Sequence, residues 1–225
     1  MENGIIKYIR YVLNCIKEVI YPYEDKCIIC DEYTREELIC NVCKKNIRYC
    51  NDSLTIDKEE MTFAAYPSTY YSGVMVELIL RLKYKSDFGA GEVIGNIMID
   101  KILNEKLDFD YITFVPSGKE AYKKRGYNQS EYLSKVISDK IHIPMISCLY
   151  KVKKTKDQIG LSTIERWENV KDSFNVINNN KLYNKNILLI DDVLTTGATV
   201  FYCASKIKKS GAKNIYILTA AKSNV

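Results

Sequence analysis

An α/β fold with a parallel sheet, preceded by a small metal-binding module, is the architecture that three stretches of the sequence predict. The first is Asn186 to Val200. Its apolar residues Ile187 to Ile190 run straight into Asp191 and Asp192, then into Thr195-Thr196-Gly197-Ala198-Thr199. A short unbroken apolar run has the length and type of a strand buried on both faces, as in parallel sheets. The second is Tyr111 to Val115, another short strand, which ends in Pro116-Ser117-Gly118-Lys119. The third is the pair Cys27-Ile28-Ile29-Cys30 and Cys40-Asn41-Val42-Cys43, in a segment with little apolar core of its own.

At 225 residues the chain is long enough for one well-buried domain and a small appendage. Its 47% apolar and 27% charged content is that of an ordinary globular protein, so neither a disordered nor a fibrous class applies. The net charge of +5, from 33 basic and 28 acidic residues, permits contact with polyanions without requiring it, because no lysine or arginine run dominates. The 18 tyrosines can stack on bases or serve as amphipathic residues at the edge of the core. The 8 cysteines, with paired spacing and no signal peptide, point to metal in a reducing cytosol rather than to secreted disulfides. A cytoplasmic protein without integral membrane contact is the expectation.

Residues 1–20 place Ile5, Ile6, Ile9, Val12, Leu13, Ile16, Val19 and Ile20 at helical spacing. Lys7, Arg10 and Lys17 interrupt the stripe, so it is neither a signal-peptide core nor a membrane span. Such a basic amphipathic helix can lie on a membrane surface or pack on its own domain or a partner. Each Cys-x-x-Cys closes a tight turn with both sulfurs directed at one point, and two such turns supply the four thiolates that a tetrahedral zinc ion prefers. Cys27, Cys30, Cys40 and Cys43 are the expected ligands of a closed, structural site whose metal contributes much of the folding free energy. Cys50 is a spare able to replace one of them, whereas Cys15, Cys148 and Cys203 sit in apolar segments and read as buried small residues. The polar stretch 51–60 marks a boundary between a module over 1–55 and a main domain over 56–225.

The main domain is expected to open with a short strand near Thr62 to Tyr66. Helices follow over Gly73 to Tyr84, with Val74, Leu78, Ile79 and Leu82 on one face, and over roughly Phe88 to Leu103. Lys83 to Asp87 joins them as a loop that either lines a site or is simply solvated. Ligands of open α/β sheets gather at the carboxyl ends of strands. Ser117, Gly118 and Lys119 are therefore placed to meet the ligand of the Asp191 strand from the other side, with N–H donors and a positive charge. Lys123-Lys124-Arg125-Gly126-Tyr127-Asn128-Gln129 opens a helix to about Ile141 and offers further cations, in a composition that a surface charge run shares. His142, the only histidine, precedes Ile143-Pro144 and reads as a turn residue rather than a base. A strand lies within Ile143 to Tyr150. Thr155 to Asn169 has the mixed polarity of a flap or of a connecting loop, and Lys154, Gln158 and Arg166 are its groups able to close over a site. Asn178-Asn179-Asn180 is a polar turn, Val200 to Lys209 a helix with Gly211 at its C-cap, and Asn214 to Ala220 a final strand.

A strand feeding a helix through a small, hydroxyl-rich loop makes a phosphate cradle, since the unpaired N–H groups and the dipole at the helix start both favour an anion. Gly197 lets the backbone approach closely, and Thr195, Thr196 and Thr199 add donors without bulk. Asp191 and Asp192 would only repel that phosphate, so their targets are sugar hydroxyls or a divalent cation. A ribose 5-phosphate satisfies both ends of the loop. The sequence contains no Gly-x-x-x-x-Gly-Lys-Ser/Thr, which excludes a Walker-type site.

Ile187 to Thr199 resembles the signature by which type I phosphoribosyltransferases hold phosphoribosyl pyrophosphate. Together with Arg125 to Gln129, then Thr155, Gln158 and Leu161, then Arg166 and Asn169, it resembles the ComF family of competence-associated proteins. The paired cysteines occupy the position of that family's N-terminal zinc module, and the resemblance covers roughly residues 27 to 222. It implies a type I phosphoribosyltransferase-like parallel sheet flanked by helices, with magnesium-bound phosphoribosyl pyrophosphate as the ligand. Asp191 and Asp192 would be the catalytic pair at the ribose, and Thr195, Thr196, Gly197, Ala198 and Thr199 would take the 5-phosphate. Ser117, Gly118, Lys119 and Arg125 would complete the substrate site. Family members commonly carry a His and a further Arg where this chain has Gly118 and Ala121, which leaves Lys119 and Lys123 as substitutes. The family context implies DNA uptake, served by transfer to an unidentified acceptor. The alternative is a non-catalytic ligand-sensing or scaffold factor that contacts single-stranded DNA or a DNA-translocating helicase.

Overall fold

The computed structural model describes residues 25–35, 37–153, 162–177 and 179–223. The amphipathic stretch 1–20 with Cys15, and Lys154, Thr155, Gln158, Leu161 and Asn178, lie outside the described residues. The chain divides after Lys44 into two units. In the first, Cys27 N–H donates to Glu32 O at 2.7 Å and Asp31 N–H returns to Cys27 O at 2.9 Å, closing the first cysteine turn. The second pair leads into a short helix, α1 (Asn41–Lys45), where Lys44 N–H donates to Cys40 O at 2.9 Å. Ile39 is the one buried aliphatic side chain among the described residues of this unit, so its sulfurs have to do what a hydrophobic core does elsewhere.

The second unit is built on a sheet of β1 (Leu54–Lys58), β2 (Met61–Tyr70), β7 (Asn214–Lys222), β6 (Asn186–Leu194) and β3 (Tyr111–Phe114), in that spatial order. β1 is antiparallel to β2, and every other neighbouring pair is parallel. Ile187, Leu188, Leu189 and Ile190 are each 0% exposed, as a strand covered on both faces requires. Ile187 and Leu189 pack in one cluster with Phe201, Cys203 and Ile207. Leu188 and Ile190, one residue out of phase, serve the opposite face, where the helices around residues 88–104 and 129–141 lie against the sheet.

The hairpin β1–β2 is a correction to the polar boundary expected at 51–60. Leu54, Ile56 and Lys58 are partly buried and alternate with exposed Thr55 and Asp57. Glu59 and Glu60 make the turn with φ of 50° and 60°, the pair of left-handed residues that matches strand twist. Residues ahead of it also run with this unit. Cys50 N–H donates to Ser68 O and Tyr70 N–H to Arg48 O, while buried Lys101 donates to Cys50 O at 3.0 Å, Asn51 O at 3.1 Å and Glu105 at 2.7 Å.

Helices α2 (Gly73–Lys85) and α3 (Phe88–Asn104) lie where their apolar spacing predicts, although α2 buries Met75 rather than Val74 beside Leu78, Ile79 and Leu82. The expected single helix from Lys123 to Ile141 is instead two: α4 (Lys119–Arg125), stopped by Gly126 at φ 79°, and α5 (Gln129–Ile141). Lys, Glu, Ala and Arg are strong helix formers, and glycines at 118 and 126 bracket the turn. His142 ends α5 in a left-handed turn. The strand expected within Ile143 to Tyr150 pairs with the sheet through a single bridge, from Met145 to Ile112. Its regular part, β4 (Leu149–Lys151), pairs apart from the sheet with β5 (Phe174–Val176). The described end of the expected flap is helical: α6 (Thr163–Val170) opens with Ser162 and Glu165 capping one another.

Helix α7 (Ala198–Lys209) crosses from β6 to β7 with Val200, Phe201, Cys203, Ala204 and Ile207 buried. Trp167 of α6 stands edge-on to Phe201 at 5.4 Å and to Tyr202 at 5.8 Å, with the Lys58 ammonium 4.2 Å over its ring. No described helix is long and apolar enough to cross a membrane.

α3 and α5 approach closely because residues 91 and 95 are glycines. A Cβ at Gly91 would lie 2.4 Å from the Tyr132 ring, and one at Gly95 would lie 2.5 Å from Val136 Cγ1. Gly95→Ala is therefore expected to lower the unfolding free energy by about 1–3 kcal/mol despite alanine's better helix propensity. Adding Val136→Ala should recover part of that loss, as read by denaturant titration of the single and double variants.

Candidate functional site

β3 and β6 are parallel neighbours, with Phe114 beside Ile190, and Val115 N–H donates to Ile190 O at 3.0 Å. The carboxyl end of β3, at Pro116-Ser117-Gly118, therefore leaves the sheet next to Asp191 and Asp192 near the end of β6. Between them lies a cavity of about 190 Å³, several times the roughly 30 Å³ share of one water. Ser117, Gly118, Arg125, Asp191, Asp192 and Thr199 all line it. Lys119 and Lys123 do not. Both sit exposed on α4, and the cations lining the cavity are Lys83, Arg125 and Lys151.

Asp191 is held from two sides. Ser130 Oγ donates to its Oδ1 at 2.9 Å, and the Asp192 N–H donates to the same oxygen at 3.0 Å. Asp192 accepts in turn from the Val193 N–H at 2.7 Å. Burial pushes the Asp191 carboxyl up and the neighbouring Asp192 charge adds to it. Ser130, the Asp192 N–H and Lys83 pull the other way, leaving it raised to about 7. Near neutrality this side chain thus stands between acid and carboxylate, and a ligand bringing hydroxyl donors favours the carboxylate.

The run from Arg125 to Ser130 brings several strand ends together. Asn128 caps α5 by accepting from Ser130 N–H at 3.1 Å, and its Nδ2 donates to Val115 O at 2.9 Å, so one amide ties α5 to the end of β3. Gln129, 4% exposed, accepts from Arg125 Nη1 at 2.9 Å through Oε1. Since arginine can only donate, that bond fixes the Gln129 Nε2 end as a donor turned elsewhere. Among the described residues Gln129 Nε2 and Arg125 Nε are buried without a hydrogen-bond partner at bonding geometry, the state of donors prepared for an acceptor. The Arg125 guanidinium also lies 5.6 Å over the Tyr84 ring. Sequence reasoning placed Asn128 and Gln129 in a motif without assigning them to the site. It missed Ser130 and Lys151, neither of which carries a local signal.

The Thr195–Thr199 loop enters α7 through Gly197 at φ 80°. A Cβ there would meet Ile56 Cδ1 at 3.0 Å, so glycine is demanded both by backbone conformation and by the hairpin packed against it. Thr196 Oγ1 accepts from the Ala198 N–H at 3.4 Å. Thr199 reaches the cavity, whereas Thr195, Thr196, Gly197 and Ala198 are outside its lining, at the start of the helix.

In the first unit the sulfurs of Cys27, Cys30, Cys40 and Cys43 all lie within 4.8 Å of one another. A tetrahedral zinc about 2.3 Å from each sulfur sets them roughly 3.8 Å apart, close to the 3.6 Å between Cys30 and Cys40. The group could therefore hold a metal ion with no position left open. Burial pushes the Cys27 thiol up, but backbone hydrogen bonds from Cys40, Cys30 and Ile29 outweigh it and bring it down to about 6. Burial raises Cys43 far above the ordinary thiol range. Such a spread is what crowded sulfurs show when they share protons, and a divalent cation replaces those protons. Cys50 is not in the group; its Sγ donates to Asp52 O at 3.5 Å. Cys148 and Cys203 are buried at 2% and 0% exposure, as expected of small core residues.

No protein-family model matches the chain. It is 26% identical over 208 residues to Competence protein F of Haemophilus influenzae, covering 87% of this chain and 90% of that protein. It is likewise 26% identical over 193 residues to Competence protein ComFC of Bacillus subtilis, covering 82% and 72%. A solved APRTase from Giardia lamblia complexed with 9-deazaadenine is similar over 81% of this chain and 97% of that one, at a TM-score of 0.43 and 14% identity, too distant to carry an argument. The curated matches run along most of the chain. The chain is a relative of the ComF competence proteins.

Proposed function

We propose that the main domain binds phosphoribosyl pyrophosphate in the cleft between the ends of β3 and β6, as a phosphoribosyltransferase-like protein associated with DNA uptake. One observation carries this reading: a single cavity is lined on one side by Asp191 and Asp192 and on the other by Ser117, Gly118 and Arg125. Carboxylates accept from the ribose hydroxyls and stabilise positive charge that develops at the ring. Backbone donors and the guanidinium suit the diphosphate. The loop from Thr195 to Thr199, at the positive end of α7, suits the 5-phosphate. Catalysis in such a site is positional and electrostatic, since the groups present bind and orient without forming covalent bonds. Magnesium bound with the diphosphate would supply neutralisation of its charge there. The cysteine group holds zinc in a structural role.

A second reading, a ligand-sensing or scaffold factor without turnover that meets single-stranded DNA or a translocating helicase, is favoured by a different observation. Gly118 and Ala121 both line the cavity and present no polar side chain to it.

Magnesium with phosphoribosyl pyrophosphate is expected to raise the melting temperature, by about 2.7 kcal/mol of stabilisation at roughly 100 times Kd. Asp191→Asn with Asp192→Asn should remove the rise, and an unmutated protein that shows no rise overturns the proposal. Diphosphate release that depends on an added nucleobase or amine marks a transferase, and ligand binding without such release marks the second reading.

Asp191 also gives the ligand-free protein a pH signature. Its folded pKa of about 7 lies above the ordinary 3.8, so its contribution to stability is fully present below about pH 4 and is lost as pH rises through 7. The stability of the wild type relative to Asp191→Asn should therefore fall between pH 5 and pH 8, as read by unfolding curves at about one-unit steps. Elemental analysis should find about one zinc per chain. Cys27→Ser or Cys43→Ser should lower that content and melt the N-terminal unit, as read by amide exchange.

A further inference from the structure

Lys151 is placed in the cavity by tertiary structure alone. It ends β4, whose pairing with β5 sets it opposite Phe174, and its ammonium lies 5.8 Å from the centre of that ring. From there it reaches the turn after β3: a Cβ built on Gly118 would be 3.7 Å from Lys151 Nζ. The charge thus lies within contact range of the Gly118 turn, next to Ser117, on a cavity wall shared with Arg125. Lys119, the residue that follows Gly118 in the chain, is exposed and outside that wall.

We propose that Lys151 binds the diphosphate end of the ligand through its ammonium, completing an anion subsite with the Ser117–Gly118 backbone and Arg125. This rests on the reading of the cavity as a phosphoribosyl pyrophosphate site. The charges support the division of labour. Lys83, Arg125 and Lys151 share the cavity with Asp191 and Asp192, so it offers cations suited to phosphates as well as carboxylates suited to ribose hydroxyls. Burial holds the Lys151 amine below the usual lysine range, a desolvation that an anion in contact with it reverses. The ammonium stands over the Phe174 ring and within contact range of the turn, so a neutral side chain of similar length tests its charge apart from its packing.

Calorimetric titration of the full chain with magnesium diphosphate and, separately, with ribose 5-phosphate tests this. Lys151→Met keeps the stem and removes the charge. It should weaken diphosphate binding by at least about tenfold, the loss of one charge-assisted contact, and leave ribose 5-phosphate within roughly twofold. Lys151→Arg should restore most of the diphosphate affinity. Unchanged diphosphate binding by Lys151→Met overturns the inference, as does an equal loss of both ligands, which would mean a packing role. Should Lys151→Met fail to fold, Lys151→Gln is read by the same criteria. A wild type that binds ribose 5-phosphate but not diphosphate overturns this inference and leaves the sugar-phosphate reading standing. A wild type that binds neither overturns both.

Discussion

Ser130 Oγ donates to Asp191 Oδ1 at 2.9 Å, and through that bond the first turn of α5 fixes the carboxylate near the end of β6. Its neighbour Asn128 does the corresponding work for β3, capping α5 while holding Val115 O. Two side chains separated by one residue thus set the separation of two strand ends, and that separation is the cavity. The arrangement carries an electrostatic cost. A carboxyl drawn out of water beside a second carboxylate has its proton affinity raised by several powers of ten, to about 7. Backbone and hydroxyl donors offset part of this, and the remainder stays stored as readiness for hydroxyl groups from outside.

The glycines that matter here act by absence. At Gly197 the loop before α7 turns left-handed while Ile56 lies against the space where a side chain would be, so the edge hairpin and the loop are in direct contact. Gly118 differs: a Cβ there would be only in ordinary contact with Lys151 Nζ, so the approach of that residue does not depend on the missing side chain. At Gly91 and Gly95 the absence lets α3 and α5 approach, which brings the capped start of α5 into reach of the strand ends. Packing far from the cavity and chemistry within it are linked by these close approaches, because interiors at crystal-like density pass on displacements of a few tenths of an ångström.

Where the sequence was legible, one physical signal dominated. Ile187 to Ile190 read as a buried parallel strand because burial on both faces leaves no polar residue to confuse the pattern. α2 and α3 read from apolar spacing, and the four cysteines from the geometry a tetrahedral metal demands. α4 was hidden because it buries no residue at all, so nothing in its pattern has a period. β1 was hidden by a turn of two glutamates, which take a backbone conformation usually marked by Asn-Gly. α6 carried a readable Ser-x-x-Glu start at Ser162, overshadowed by the mixed polarity around it. Ser130 and Lys151 were not legible because each reaches the cavity through pairing with a segment distant in the chain. Asp191, Asp192, Ser117, Gly118, Arg125 and Thr199 line one cavity because they stand at or just beyond the carboxyl ends of two neighbouring parallel strands, where ligands of such sheets gather.

Trp167 is the chain's one tryptophan, and it touches two other elements at once: the Lys58 ammonium of the hairpin, and Phe201 and Tyr202 of α7 edge-on beside it. A nearby cation and aromatic edges both perturb an indole's excited state. The protein therefore carries a native optical gauge of whether hairpin, α6 and α7 are assembled, readable in emission colour and lifetime with no label attached.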